Sequence, residues 1–153
     1  MKRLNPYYVT GLVEGEGSFY VGILPKRLKE VKFEVRPSFS LSQERKNRKI
    51  LFLLKKFFGC GFIRPNRKEK TLKYEVRSFD ELKEKIVPHF EKYPLKGRKR
   101  RDFEKFKNVI EMMDKNLHLK KEGLREIVKI VMEMTESEKR KKFLLKIATS
   151  LKE

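Results

Sequence analysis

The stretch Val9–Phe19, with the sequence VTGLVEGEGSF, decides the fold. Its first half is predicted to be helical, because Asn5 can cap the amino end and Pro6 fits the first helical position, where an N–H would be unsatisfied anyway. Gly11 and Gly15 are four residues apart and lie on one face of that helix. Glycine lowers helix stability unless another backbone must approach closely, so this face is predicted to pack against a second helix.

Two carboxylates, Glu14 and Glu16, follow where Gly15 and Gly17 are expected to end the helix. Free backbone carbonyls gather at the carboxyl end of a helix, and the helix dipole is negative there. Such an end repels a lone carboxylate but suits one that holds a divalent cation, since Mg²⁺ prefers oxygen ligands. The alternative interpretation is a glycine-rich helix cap with two solvated glutamates.

The same stretch resembles the helix-and-acid motif of the LAGLIDADG homing endonucleases. In that family two such helices pack side by side, and the last acid of each motif binds the divalent metal that drives double-strand DNA cleavage. The resemblance implies that Glu16 is catalytic and binds metal, that Gly15 supplies a neighbouring backbone carbonyl, and that Gly11 and Gly15 form a dimer interface. The chain has glutamate where the family name spells aspartate, a common variation.

The composition favours a polyanionic partner. Lysine and arginine number 40 against 21 aspartates and glutamates in 153 residues, a net charge of +19. So large an excess indicates nucleic acid first and an anionic membrane second. The length suits a single domain, predicted to span residues 1–153 with a core at about 5–110 and a helical extension at about 120–153.

The single cysteine, Cys60, excludes an internal disulfide and a cysteine zinc cluster. No apolar run reaches transmembrane length, and residues 1–20 lack the apolar core of a signal peptide. The expectation is an intracellular protein, cytoplasmic in a prokaryote or encoded in an organelle, that is neither secreted nor membrane-bound. Abundant charge, a single cysteine and the absence of tryptophan favour a thermophilic host.

The periodicity of apolar residues predicts an α+β fold with the order αββαββα and additional C-terminal helices. Residues 31–42 alternate apolar and polar without a fault, which indicates a strand with one buried and one open face. Four antiparallel strands are expected to form one sheet, saddle-shaped in the family that the motif resembles. The predicted helices cover residues 6–14, 43–58, 79–92 with an interruption near Pro88, 99–116, 120–134 and 136–151, and the predicted strands cover 18–26, 31–42, 62–64 and 72–77.

The open face of the sheet is predicted to read DNA, because a two-stranded ribbon fits the major groove and presents every second side chain to it. Arg36, Arg64 and Arg77 are the best candidates for guanine, since a guanidinium can pair with O6 and N7 together. The alternative is that most of these residues contact only phosphates or solvent. The full candidate set is Tyr20, Lys26, Lys32, Glu34, Arg36, Ser38, Ser40, Arg64, Asn66, Lys73, Glu75 and Arg77.

A dense basic run, Lys96–Arg101, opens a predicted helix, where like charge opposes the helix dipole unless phosphate lies nearby. The segment from Pro94 to Phe106 resembles a second segment of the family, in which a proline-leucine pair precedes two basic residues and an aspartate-phenylalanine pair. That resemblance implies a catalytic basic residue near the scissile phosphate, either Arg98 or Lys99. It also implies that Gln43 orders active-site water, as a glutamine does in related homodimeric enzymes.

Together the resemblances imply a site-specific, intron-encoded endonuclease that binds double-stranded DNA as a homodimer and depends on Mg²⁺ or Mn²⁺. One motif per chain requires two chains to supply two metal-binding helix ends, and the resulting two-fold axis matches a long, roughly palindromic site. Cleavage is expected across the minor groove, with 3′ overhangs. The alternative function is a non-cleaving nucleic-acid-binding protein on the same fold, either an RNA-splicing maturase or a DNA-binding regulator.

Overall fold

The computed structural model describes residues 3–28, 30–66 and 70–152. The chain forms two compact units, one made of the residues up to Tyr20 with Pro37–Phe103, the other of Val21–Arg36 with the chain from Glu104 onward. The helices are α1 Pro6–Glu16, α2 Lys49–Phe58, α3 Phe79–Glu81, α4 Val87–Lys92, α5 Lys99–Asp114, α6 Lys121–Met134 and α7 Glu138–Ser150, and the strands are β1 Gly17–Leu28, β2 Val31–Glu44, β3 Phe62–Pro65 and β4 Thr71–Val76. The predicted order of elements is confirmed.

The four strands form one sheet in the order β1-β2-β4-β3. In the first unit β4 pairs antiparallel with both of its neighbours, so that Tyr74 lies opposite Leu41 of β2 and opposite Ile63 of β3. Phe39 and Leu41 are buried, as the alternation along β2 predicts. The turn expected between β3 and β4 lies largely outside the described residues.

Helix α1 begins as its sequence predicts. The side chain of Asn5 accepts a hydrogen bond from the backbone N–H of Tyr7 at 2.8 Å, and Pro6 occupies the first helical position. The helix runs to Glu16, two residues farther than expected, and Gly17 caps it by donating its N–H to the carbonyl of Val13. Gly15 therefore lies inside the helix rather than breaking it, and its carbonyl belongs to the last turn.

The helix predicted to open at residue 43 begins at Lys49 instead. The backbone pairing of β2 with β4 continues through Gln43 and Glu44, and the 3₁₀ turn Arg45–Asn47 follows. The local periodicity of apolar residues cannot predict this pairing, because the partner strand lies about thirty residues farther along the chain. The predicted stop is confirmed, since Gly59 caps α2 with a left-handed φ of 69°.

The interruption predicted near Pro88 is a π-helical turn, Leu82–Ile86, between α3 and α4. The N–H of Val87 donates to the carbonyl of Leu82, five residues earlier. Proline lacks the N–H that would continue the regular helical pattern, and its ring needs space near the preceding turn. The wider turn accommodates Pro88 without ending the helix.

Aromatic rings fill the core of the first unit. Phe19 of β1 contacts Phe39, Phe90 and Phe103 at centroid distances of 5.3–5.4 Å. The hydroxyl of Tyr74 donates to the carbonyl of Cys60 at 2.9 Å, so this buried phenol is satisfied. Cys60 is itself buried, and burial raises the pKa of its thiol, so it acts here as a small packing residue.

The second unit includes the C-terminal segment, whose sequence carries no recognisable motif. Helices α6 and α7 pack against each other, and their buried faces include Leu124, Ile127 and Leu144. The guanidinium of Arg140 on α7 donates to the carbonyl of Val21 on β1. The C-terminal helices therefore form one compact unit with the distal part of the β1–β2 hairpin.

Candidate active site

The carboxyl end of α1 carries the two acids of the opening motif in different environments. Glu16, the last residue of the helix, is exposed. Glu14 is half-buried, and its Oε1 accepts hydrogen bonds from the backbone N–H groups of Lys96 and Gly97, at 2.7 and 2.8 Å. The alternative of two solvated glutamates is wrong for Glu14.

The basic run reaches the same helix end. The ammonium of Lys99 donates to the backbone carbonyl of Gly17, the residue directly after Glu16. Arg98, the other candidate for the catalytic basic role, has an exposed side chain. The cation of Lys99 therefore binds the backbone directly beside the acid.

Gln43 and Glu16 line one open depression in the first unit, although 26 residues separate them in sequence. The side-chain oxygen of Gln43 accepts a hydrogen bond from the side-chain amide of Asn47, at 2.7 Å. Sequence reasoning did not identify the remaining lining residues, because they come together only where β2 ends against β4. These residues are Ser42, Glu44, Lys46, Asn47 and Thr71.

The donor set at the end of α1 fits a hard divalent cation. Glu16 offers an exposed carboxylate, and Gly15 offers a carbonyl of the last helical turn, both oxygen donors of the kind that Mg²⁺ prefers. Among the described residues, no three histidines, cysteines, aspartates or glutamates cluster as a metal site would require. The oxygen donors identified at this helix end are therefore the Glu16 carboxylate and the Gly15 carbonyl.

The glycine face of α1 is open. A Cβ atom built on Gly11 or on Gly15 meets no described atom within 4 Å, other than the neighbouring residues and the helix's own backbone. Both glycines are exposed, as is Tyr8 on the same face, at 53%. Nothing within the described chain requires glycine at these two positions, which agrees with a face reserved for a second helix.

The polar face of the sheet is not uniformly open, which corrects the expectation for Ser40 and Glu75. Ser40 is 7% exposed and Glu75 is 6% exposed, and the two residues lie opposite each other in the β2–β4 register. The other candidates that lie in the first unit keep at least part of their surface, and they are Tyr20, Ser38, Arg64, Asn66, Lys73 and Arg77.

Two arginines cover Glu75. Its Oε1 lies 2.9 Å from Nε of Arg64 and 3.1 Å from Nη2 of Arg77. Burial opposes ionisation of this carboxyl, but hydrogen bonds and charge from the two guanidinium groups outweigh burial and lower the pKa of Glu75. We call these three residues the Glu75 cluster, in which a buried carboxylate pairs with two of the three guanine candidates.

The second unit repeats this arrangement in a weaker form, the Glu34 cluster. Oε2 of Glu34 lies 3.1 Å from Nη2 of Arg36 and 3.9 Å from Nζ of Lys26. The Glu34 side chain is 24% exposed, against 7% for Glu75. Lys32, the remaining candidate in this unit, is exposed.

A family model described as LAGLIDADG endonuclease matches residues 9–110, two thirds of the chain, including the helix-and-acid motif and the basic run. The chain belongs to the LAGLIDADG endonuclease family. Its fold matches the crystal structure of the homing endonuclease I-TnaI with a TM-score of 0.89 and 40% sequence identity, covering 96% of this chain and 99% of that one. The LAGLIDADG fold and the single-motif type expected from the sequence are therefore confirmed.

Other LAGLIDADG relatives are longer. The structure of I-SmaMI bound to uncleaved DNA in the presence of calcium ions is 34% identical with a TM-score of 0.85, covering 90% of this chain and 47% of that chain. "Probable intron-encoded endonuclease 2" of Neurospora crassa is 35% identical over 126 residues, 82% of this chain. The chain spans about a quarter of the length of the two Neurospora crassa relatives, 28% and 24%.

The α-helices in the described part of the chain range from three residues in α3 to sixteen in α5. None of them combines enough length with enough apolar character to cross a bilayer.

Proposed function

We propose that the chain is a site-specific endonuclease that cuts both strands of a long, roughly palindromic DNA site as a homodimer, leaving 3′ overhangs. The observation that carries this proposal is the arrangement at the end of α1. An exposed acid, Glu16, lies one residue from a carbonyl that the Lys99 ammonium binds, on the fold of the LAGLIDADG family. A protein of this kind acts inside the cell, where its DNA is.

The single copy of the motif supports the homodimer. The chain matches 99% of the I-TnaI chain and 47% of the I-SmaMI chain, and its 153 residues carry the helix-and-acid motif once. One chain supplies one Glu16, whereas cutting two strands requires two acids. Two copies that pack through the Gly11 and Gly15 faces bring their helix ends together around a two-fold axis.

The chain's own residues have distinct roles in the proposed reaction. Glu16 and the Gly15 carbonyl are the oxygen donors for Mg²⁺ or Mn²⁺, which when bound activates water and stabilises the leaving 3′ oxygen. Lys99 places a positive charge where the scissile phosphate gains negative charge, and we assign the catalytic basic role to it rather than to Arg98. Gln43, whose side-chain oxygen already accepts from Asn47, has its amide N–H groups left to position water.

DNA recognition is assigned to the polar face of the sheet, with the two carboxylate clusters holding their arginines in place. Ser40 and Glu75 are not proposed to contact DNA directly, because both side chains are buried. The remaining residues act as direct readers or as phosphate contacts, and the two roles differ in salt dependence. The described chain is proposed to work as one LAGLIDADG domain.

The test uses DNA made by joining the sequences that flank the genetic element encoding the chain. The protein is incubated with this DNA in Mg²⁺, and with the same DNA carrying the element as an interrupted-site control. Two-strand cleavage of the joined DNA alone, lost in EDTA, is the expected result. A shift of the DNA in a gel without cleavage, at matched protein concentration, identifies a non-cleaving binder and overturns the proposed reaction.

A further inference from the structure

One stripe along α1 contacts the segment that leads to Lys99. Tyr7, Thr10 and Glu14 are spaced three and four residues apart, so their side chains share one face of the helix. Each of the three contacts a residue between His89 and Gly97. This stripe is separate from the Gly11 and Gly15 face, which no described residue covers.

The first two contacts, made by Tyr7 and Thr10, join α1 to α4 and to Tyr93, the residue directly after α4. The ring of Tyr7 packs edge-on against Tyr93, with centroids 5.0 Å apart. The hydroxyl of Thr10 donates to the carbonyl of Tyr93 at 2.8 Å and lies 3.1 Å from Nε2 of His89. A hydroxyl has a single proton, so Nε2 of His89 carries the hydrogen of the second bond.

The imidazole in this cluster is neutral. Burial, together with the charge of Arg3, lowers the pKa of His89 to about 4. The cluster therefore acts at neutral pH as an uncharged, hydrogen-bonded anchor between α1 and α4.

The third contact lies directly before α5. Both hydrogen bonds from the backbone N–H groups of Lys96 and Gly97 end on Glu14 Oε1, and Lys99 follows two residues after Gly97. A Cβ atom at Gly97 would lie 3.1 Å from Oε2 of Glu14, so the carboxylate is closely apposed to the backbone of this loop. Because a carboxylate accepting two N–H groups is a strong, directional anchor, it restricts where the start of α5 can lie.

We propose that Glu14 is a positioning residue, which holds the loop at 96–97 so that the Lys99 ammonium stays beside the end of α1. The two acids of the motif then have different roles. Glu16 faces the substrate, and Glu14 binds backbone N–H groups of the protein. This inference rests on the proposed function for its catalytic consequence, but the loop restraint itself does not depend on it.

The restraint is tested first by amide hydrogen exchange at Gly97, measured by NMR on the full-length protein without DNA. Glu14→Ala is expected to speed exchange about tenfold, as loss of a charge-assisted hydrogen bond predicts. Glu14→Gln keeps an oxygen at the same place and should exchange within threefold of wild type. Glu84→Ala, which removes an exposed glutamate of the π-helical turn, is the matched control and should leave Gly97 unchanged.

The catalytic consequence is tested by single-turnover cleavage of the joined DNA site. Glu14→Ala is expected to slow cleavage about 10- to 100-fold, since a misplacement of about 1 Å can have an effect of that size. The Kd for DNA in Ca²⁺ should stay within twofold of wild type, and Glu14→Gln should recover most of the rate. A merely structural role would weaken DNA binding and stability together with cleavage.

The outcomes separate the two proposals. Failure of the wild type to cleave overturns the proposed function, while the exchange data still decide the restraint. Wild-type exchange at Gly97 in Glu14→Ala overturns the restraint. Fast exchange with an undiminished cleavage rate, or a Glu14→Gln variant as slow as Glu14→Ala, overturns the positioning role.

Discussion

Glu16 and Glu75 are both glutamates in a chain of net charge +19, yet their surroundings are opposite. Glu75 is buried on the sheet beneath two arginines. Glu16 is exposed at a helix end, and the nearby cation of Lys99 donates to the carbonyl of Gly17. The difference teaches that a strongly basic protein can cover one carboxylate with arginines and leave another exposed, with a lysine beside it bonded to the backbone instead.

The largest expected effect follows from substitution of the exposed acid. Glu16→Gln keeps the shape of the side chain but removes the charge that attracts a cation. Cleavage should fall by about 10²–10³-fold, the range found when one electrostatic group of an active site is lost, while DNA affinity stays near wild type. Quantitative cleavage in Mg²⁺ beside a binding titration measures both, and a wild-type rate would remove Glu16 from the reaction.

The next largest effect is expected for a substitution that pushes apart the two α1 helices of the proposed dimer. Gly11→Leu adds a branched side chain to a face that the described chain leaves open, so it should not disturb the monomer. The steric conflict should weaken the dimer by about 1–3 kcal/mol, roughly 5- to 150-fold in its dissociation constant. Sedimentation velocity measures the dissociation constant, and Lys142→Leu, at an exposed position of α7, is the control. An unchanged dimer would contradict packing through the glycine face.

On the sheet, the two carboxylate clusters predict different behaviour of their arginines. Arg64→Ala and Arg77→Ala remove guanidinium groups that Glu75 orders in advance, and each should reduce specific DNA affinity by about 1–3 kcal/mol if it reads a base. Arg36, paired with the more exposed Glu34, should show the smaller effect. Profiling cleavage of a randomised site library with Arg36→Ala, Arg64→Ala and Arg77→Ala shows which variants change the preferred sequence. If none of them does, specificity comes from DNA shape or from elsewhere in the chain.

A stability comparison contrasts the two clusters directly. Glu75→Gln removes the charge that two partly exposed guanidinium groups share, so unfolding should become easier by about 1–2 kcal/mol. Glu34→Gln should change stability by about 0–1 kcal/mol, because its ion pairs lie closer to solvent. Urea titrations of both variants give the difference, and equal effects would show that burial does not distinguish the clusters.

The smallest expected effect is the pH dependence of that difference. The pKa of Glu75 in the folded protein lies below the ordinary glutamate value of 4.5, so its stabilisation is complete above that value and is lost as pH falls through the folded pKa. The stability gap between wild type and Glu75→Gln should therefore be constant from pH 6 to 8 and shrink below pH 4.5. A gap that widens on acidification would reverse the assigned sign.

Local sequence accounts for much of the molecule because its signals act over a few residues. Asn5 and Pro6 start α1, Gly59 stops α2, and the alternation along β2 orients its side chains. The spacing of Gly11 and Gly15 places an open glycine face on α1. The motif identified the family and singled out Glu16 without any knowledge of tertiary contacts.

Tertiary structure decided what depends on partners distant in sequence. Glu14 bonds backbone groups 82 and 83 residues away, and the Lys99 ammonium bonds a carbonyl 82 residues away, so no local pattern assigns either role. Glu75 has the alternation of an open-face residue, but in the folded chain it is buried and pairs with Arg64 and Arg77. Sequence periodicity determines which face a side chain occupies, whereas the neighbours that the fold brings to that face determine whether the side chain is exposed or covered.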